Sequence, residues 1–70
     1  MSKANKEAVD RLIVLTRSTI TNDKIAAIEA LGEAGGEQAV NRLVELTRST
    51  ITNDKITAIR ALGRAGRLVE

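Results

Sequence analysis

Seventy residues that carry a net charge of +2 and no Cys, His, Phe, Tyr or Trp exclude more than they admit. Disulfides and structural zinc lack their ligands, most nucleophile and proton-relay arrangements lack their side chains, and so mild a charge does not demand nucleic acid or membrane. Seven Leu, seven Ile, five Val and one Met beside ten Ala make one small domain with a thin core, and oligomerisation is the staple left open.

In chain order, the start MSKANKEAVDR lacks the apolar segment of a secretory signal. No later run approaches the roughly 20 apolar residues of a membrane span. A cysteine-free chain of this kind is expected in the cytoplasm. From about Ala4 to Thr16, Ala8, Val9, Leu12, Ile13 and Leu15 follow the spacing of an amphipathic helix, with Ser2 or Asn5 as caps. Val14 falls off that stripe and is expected to be exposed.

Arg17 to Asn22 reads as a turn, because Ser, Thr and Asn bond locally to backbone. With Thr21 as N-cap, Ile20 and Ile25 would form a hydrophobic staple; otherwise Ile20 would tuck under the loop. Asp23 then lies in a first turn, where the helix dipole favours a carboxylate. The second helix, Ile25 to Leu31, turns Ile25, Ala27, Ile28 and Leu31 inward and is expected to stop in Gly32 to Gly36. A third helix, about Glu37 to Thr47, faces Val40, Leu43, Val44 and Leu46 inward. A fourth, about Asn53 to Leu62, does the same with Ile56, Ala58, Ile59 and Leu62 and is expected to stop in Gly63 to Gly66.

These elements are one unit written twice. LTRSTITNDKI occupies Leu15 to Ile25 and again Leu46 to Ile56, inside a 31-residue period, 8–38 and 39–69, whose copies agree at 22 positions. The expectation is an all-α chain, 1–70 as one domain, with four helices in two helix–turn–helix repeats stacked as an α-α superhelix, or solenoid. Such close copies point either to recent duplication or to an engineered sequence built from one unit, with no physiological partner.

The frame Ala8, Val9, Leu12, Ile13, then Ala27, Ala30, Leu31, Gly32 and Gly35 recurs as Ala39, Val40, Leu43, Val44, Ala58, Ala61, Leu62, Gly63 and Gly66. It resembles the HEAT-like repeats of the phycobilisome-lyase type. The departure is at the head of the second helix. Asp23-Lys24 and Asp54-Lys55, each followed by Ile, stand where the family usually has an Asp-rich turn and Val-Arg. The resemblance implies a solenoid whose second helices line a concave protein-binding face, here Ala26, Glu29, Glu33, Thr57, Arg60 and Arg64. The family is named for subunits that attach bilins, but no bilin-handling residue set is matched, and no cofactor is expected.

Where the copies differ, they differ in charge. Glu29 and Glu33 become Arg60 and Arg64. Residues 8–38 hold three basic and five acidic groups, net −2, and residues 39–69 hold six and two, net +4. Stacking sets the acidic row beside the basic one, as an intrachain ladder or as pairing between chains in a two-fold dimer. As paired carboxylates for catalysis, Glu29 and Glu33 would need a cleft and one raised pKa, which the neighbouring arginines oppose. Ser18-Thr19 and Ser49-Thr50 have no base nearby in sequence and read as turn formers. The glycine groups lack the lysine of a phosphate loop and the preceding strand of a dinucleotide site.

Nucleic-acid binding would rest on Arg17, Lys24, Arg48, Lys55, Arg60, Arg64 and Arg67. The acidic row interrupts that patch, and no aromatic is present to stack on bases. The remaining signal is apolar: both outer flanks of a two-repeat stack lack a neighbour, and the second repeat ends in Leu68 and Val69 rather than a polar cap. Self-association through the flanks, with Val14, Leu68 and Val69 among the contacts, would give a homodimer or small ring. Exchange of repeats through Gly35-Gly36 is a variant, and a marginal four-helix monomer is the alternative.

Overall fold

A computed structural model describes the backbone of residues 3–69 and the side chains of residues 5–67. Its four helices are α1 (Lys3–Leu15), α2 (Thr21–Ala34), α3 (Gly36–Leu46) and α4 (Thr52–Val69). The expected cores of these helices are present, and no strand occurs among the described residues.

Each helix pair is joined by the same local device. The Ile20 N–H donates to Ser18 Oγ at 3.0 Å, and the Ile51 N–H donates to Ser49 Oγ at 3.1 Å. A hydroxyl bonding two residues ahead bends the chain without a glycine. The expected staple does not form. Ile20, not Thr21, is the N-cap of α2; it makes no side-chain capping bond and is 60% exposed. It therefore does not hold the position before the cap that a staple requires, and it does not tuck under the turn.

Only one glycine group stops a helix. Gly35 and Gly36 have φ of 66° and 85°, a left-handed backbone that a side chain would strain, and the chain turns there from α2 into α3. Gly32 lies inside α2, and Gly63 and Gly66 lie inside α4. The second stop does not form: Arg67 stands in place of Gly36, and α4 runs on to Val69 instead of ending near Leu62. Leu68 and Val69 are thus on the helix, but their side chains are outside the described residues.

The repeats stack as two layers. α2 and α4 make the most extensive contact in the molecule, whereas α1 and α3 touch only lightly. The closeness of α2 to α4 depends on Gly32. A Cβ there would lie 2.9 Å from both Cα and Cβ of Ala61. Across the splayed layer, long polar side chains span the gap. Arg42 Nε donates to Thr16 Oγ1 at 3.0 Å, and Gln38 Nε2 donates to Asp10 Oδ1 at 2.6 Å.

One buried cluster runs through both repeats, comprising Val9, Ile28 and Leu31 with Ala39, Leu43, Leu46, Ala58, Ala61 and Ala65. Its membership corrects the inward faces expected for the second repeat. Ile56 and Ile59 are exposed, and Val44 stands at the margin of exposure. Their counterparts Ile25, Ile28 and Ile13 are covered to a greater degree, because repeat two lies over them and nothing lies over repeat two. The radius of gyration, 10.9 Å, is that of a globule of this length, about 11 Å.

Candidate protein-interaction surfaces

The junction between the repeats shows what a repeat flank binds. Lys24, in the first turn of α2, reaches Asp54, in the first turn of α4, at 2.7 Å from Nζ to Oδ2. Their side chains are 15% and 5% exposed. The helix dipole at the start of α4 adds to the hold on the carboxylate. Asp54 Oδ1 is buried with no hydrogen-bond partner among the described residues, so Lys24 carries the neutralisation of this group. One helical turn further, Ile28 is fully buried, and one turn beyond that Gly32 meets Ala61. Thr16 is also buried at the junction. Its hydroxyl donates to the Ile13 carbonyl at 2.6 Å while accepting from Arg42.

None of these junction pairs is evident when the repeats are read singly. The signal that finds them is the period itself: a residue on one flank of a copy meets the opposite flank of the next copy. Lys24 and Ile28 belong to the trailing flank, and Asp54 and Ala61 belong to the leading flank.

Both flanks recur uncovered at the ends of the molecule. On α4 the trailing flank shows Lys55, Ile56, Ile59 and Gly63, all exposed. A Cβ added at Gly63 would meet nothing within 4 Å. On α1 and α2 the leading flank is a groove of about 380 Å³ lined by Leu12, Leu15, Asp23, Ala26, Ala27 and Ala30. The second-repeat counterparts of that lining are Leu43, Leu46, Asp54, Thr57, Ala58 and Ala61. Of these, Leu43, Leu46, Ala58 and Ala61 share the buried cluster with Ile28.

The row expected on the second helices is brought together only in part. Glu29, Thr57, Arg60 and Arg64, with Ala61, line a groove of about 210 Å³ between α2 and α4. Arg64 Nη1 donates to Glu33 Oε1, and both side chains are largely exposed. Among the described residues no ion pair joins Glu29 to Arg60. Ala26 faces the other groove, on the leading flank. Val14 is exposed, as its off-stripe position implied.

Asp10 sits among groups that favour its charged form. Its carboxyl is held below the ordinary range, first by the Gln38 amide and then by Lys6, whose ammonium lies 3.1 Å away. Among the described residues there is no cluster of three or more metal-ligating side chains, and no helix is long and apolar enough to cross a membrane.

Comparison with curated proteins and with solved structures returned no match. Comparison with family models matches residues 23–49 to the PBS lyase HEAT-like repeat. The matched stretch runs from the first turn of α2 through α3 into the following turn, so it frames the unit from its second helix and crosses the boundary at Ala39. Residues 23–49 thus carry a HEAT-like repeat, and the four stacked helices are consistent with a helical solenoid.

Proposed function

We propose that this chain is a protein-interaction module without catalytic activity, and that its first partner is itself, through the two uncovered flanks. The observation that carries the reading is the pair Ile28 and Ile59. They hold the same position in the repeat, yet one is fully buried and the other is 54% exposed. Arrays of this kind stay soluble as monomers when their end repeats present polar outer faces. Here the trailing end presents Ile56 and Ile59, and the leading end presents an apolar groove. HEAT-like repeats as a class are helical scaffolds, which fits binding better than chemistry.

Molar mass by light scattering over a concentration series, with helix content followed alongside, tests the reading. Self-association gives a mass of two or more chains that falls on dilution. A helical chain of single mass at every concentration ends the self-association reading. The groove of Glu29, Thr57, Arg60 and Arg64 would then be the surface offered to a different protein, with charges of both signs to match.

A further inference from the structure

We infer that copies of this chain join head to tail, the trailing flank of one seated in the leading groove of the next, in the register that already joins the two repeats. The inference rests on the self-association reading and goes further: it names which face meets which, and through which atoms.

The polar and close-packed contacts described for the internal junction have chemically matched counterparts at such an external one. Lys24 on Asp54 becomes Lys55 on Asp23 of the next copy; the four residues are two Lys and two Asp at equivalent places in the repeat. Ile28, buried in one cluster with Leu43, Ala58 and Ala61, becomes Ile59 in the groove of Leu12, Ala27 and Ala30. Gly32 against Ala61 becomes Gly63 against Ala30, a small residue beside a small residue, so the helices can again approach closely. Thr16 with Arg42 becomes Thr47 with Arg11.

Even the positions that differ remain complementary. Glu33 bonded to Arg64 becomes Arg64 facing Glu33 of the next copy, so the row alternates in sign along the array. Asp10 accepting from Gln38 becomes Asn41 donating to Glu7. Residues 8–38, with three basic and five acidic groups, meet residues 39–69, with six and two.

A two-fold dimer through a single flank loses these matches. Two trailing flanks bring together two faces that each carry Lys55 and no Asp23. Two leading flanks bring together two empty grooves. A heterologous contact of this kind closes into a ring or continues as a filament.

Gly63→Ala separates assembly from folding. In the single chain the new methyl meets nothing and replaces a helical glycine, so the fold is retained or strengthened. At the head-to-tail contact the same methyl meets Ala30 as a Cβ on Gly32 would meet Ala61. Sedimentation velocity on the full chain should show association weakened at least about tenfold, with helix content unchanged. Lys55→Glu and Asp23→Lys should each weaken association alone. An equimolar mixture of the two should restore it, because each then offers the charge the other lacks.

Parental association in Gly63→Ala, or no restoration in the mixture, overturns the head-to-tail register while leaving self-association in place. A parent chain of single mass at every concentration overturns both.

Discussion

Ile28 and Ile59 are the same residue in the same helix position of two near-identical repeats, and only Ile28 is buried. Their difference is entirely one of neighbours: α3 and α4 cover the first repeat, and nothing covers the second. The pair therefore serves as an internal control for what the core is worth. Ile28→Ala should cost about 2–5 kcal/mol, the range for emptying a filled core site. Ile59→Ala should stay within about 0.5 kcal/mol in dilute solution. Urea unfolding followed by far-UV circular dichroism measures both.

Gly32 and Gly63 make the second contrast. Gly32→Ala forces a methyl to within 2.9 Å of Ala61, whose own backbone is part of α4 and cannot swing aside. Overpacking of about 1–3 kcal/mol should exceed any gain in helix propensity. In dilute solution, where the chain is single, Gly63→Ala has only the gain, about 1 kcal/mol for a helical glycine. The two alanine variants should move the thermal midpoint in opposite directions.

Lys24 and Lys55 behave as a third such pair. Lys24→Met leaves the buried Asp54 carboxylate uncompensated, at a cost of about 3 kcal/mol. Adding Asp54→Leu removes the stranded charge and should recover most of that loss. Lys55→Met should be close to neutral in dilute solution, since Lys55 is exposed. By comparison, Glu33→Gln breaks an ion pair that is exposed at both ends and should change stability by about 0–1 kcal/mol. A double-mutant cycle on Lys24 and Asp54 reads the coupling directly.

Acid stability should carry the mark of Asp10. Its folded pKa lies below the ordinary 3.8, with the Gln38 amide as the larger cause and Lys6 as the smaller. A depressed carboxylate contributes stability that is present above its unfolded pKa and is lost as pH falls through the folded one. The contribution should therefore begin to fall as pH drops below 3.8 and be gone only below the folded pKa. Asp10→Asn, which installs the residue already present at position 41, should flatten that part of the urea midpoint against pH. Gln38→Ala should flatten it partially.

The four helices, their ST-type turns and the two-copy design are legible in the letters, because each depends on contacts within a few residues. Apolar spacing places α1 and α3, and Ser18 and Ser49 announce the bends. Ile20 misleads because its spacing to Ile25 satisfies a staple pattern one residue out of register with the actual cap. Gly63 and Gly66 mislead because a glycine permits a helix stop without compelling one; both lie inside α4, and Arg67 stands where Gly36 does. The acidic and basic rows were visible, but the tertiary structure joins only Glu33 to Arg64 among them.

What the sequence alone determined is the repeat unit: its helices, its period and the chemistry of its two flanks. What only the tertiary structure decided is which copy of each flank is covered, and hence that Lys24, Ile28 and Gly32 are interior while Lys55, Ile59 and Gly63 are surface. The reason is that helix formation is set by neighbours along the chain, whereas burial is set by neighbours in space, and identical letters have different neighbours at the two ends of a stack.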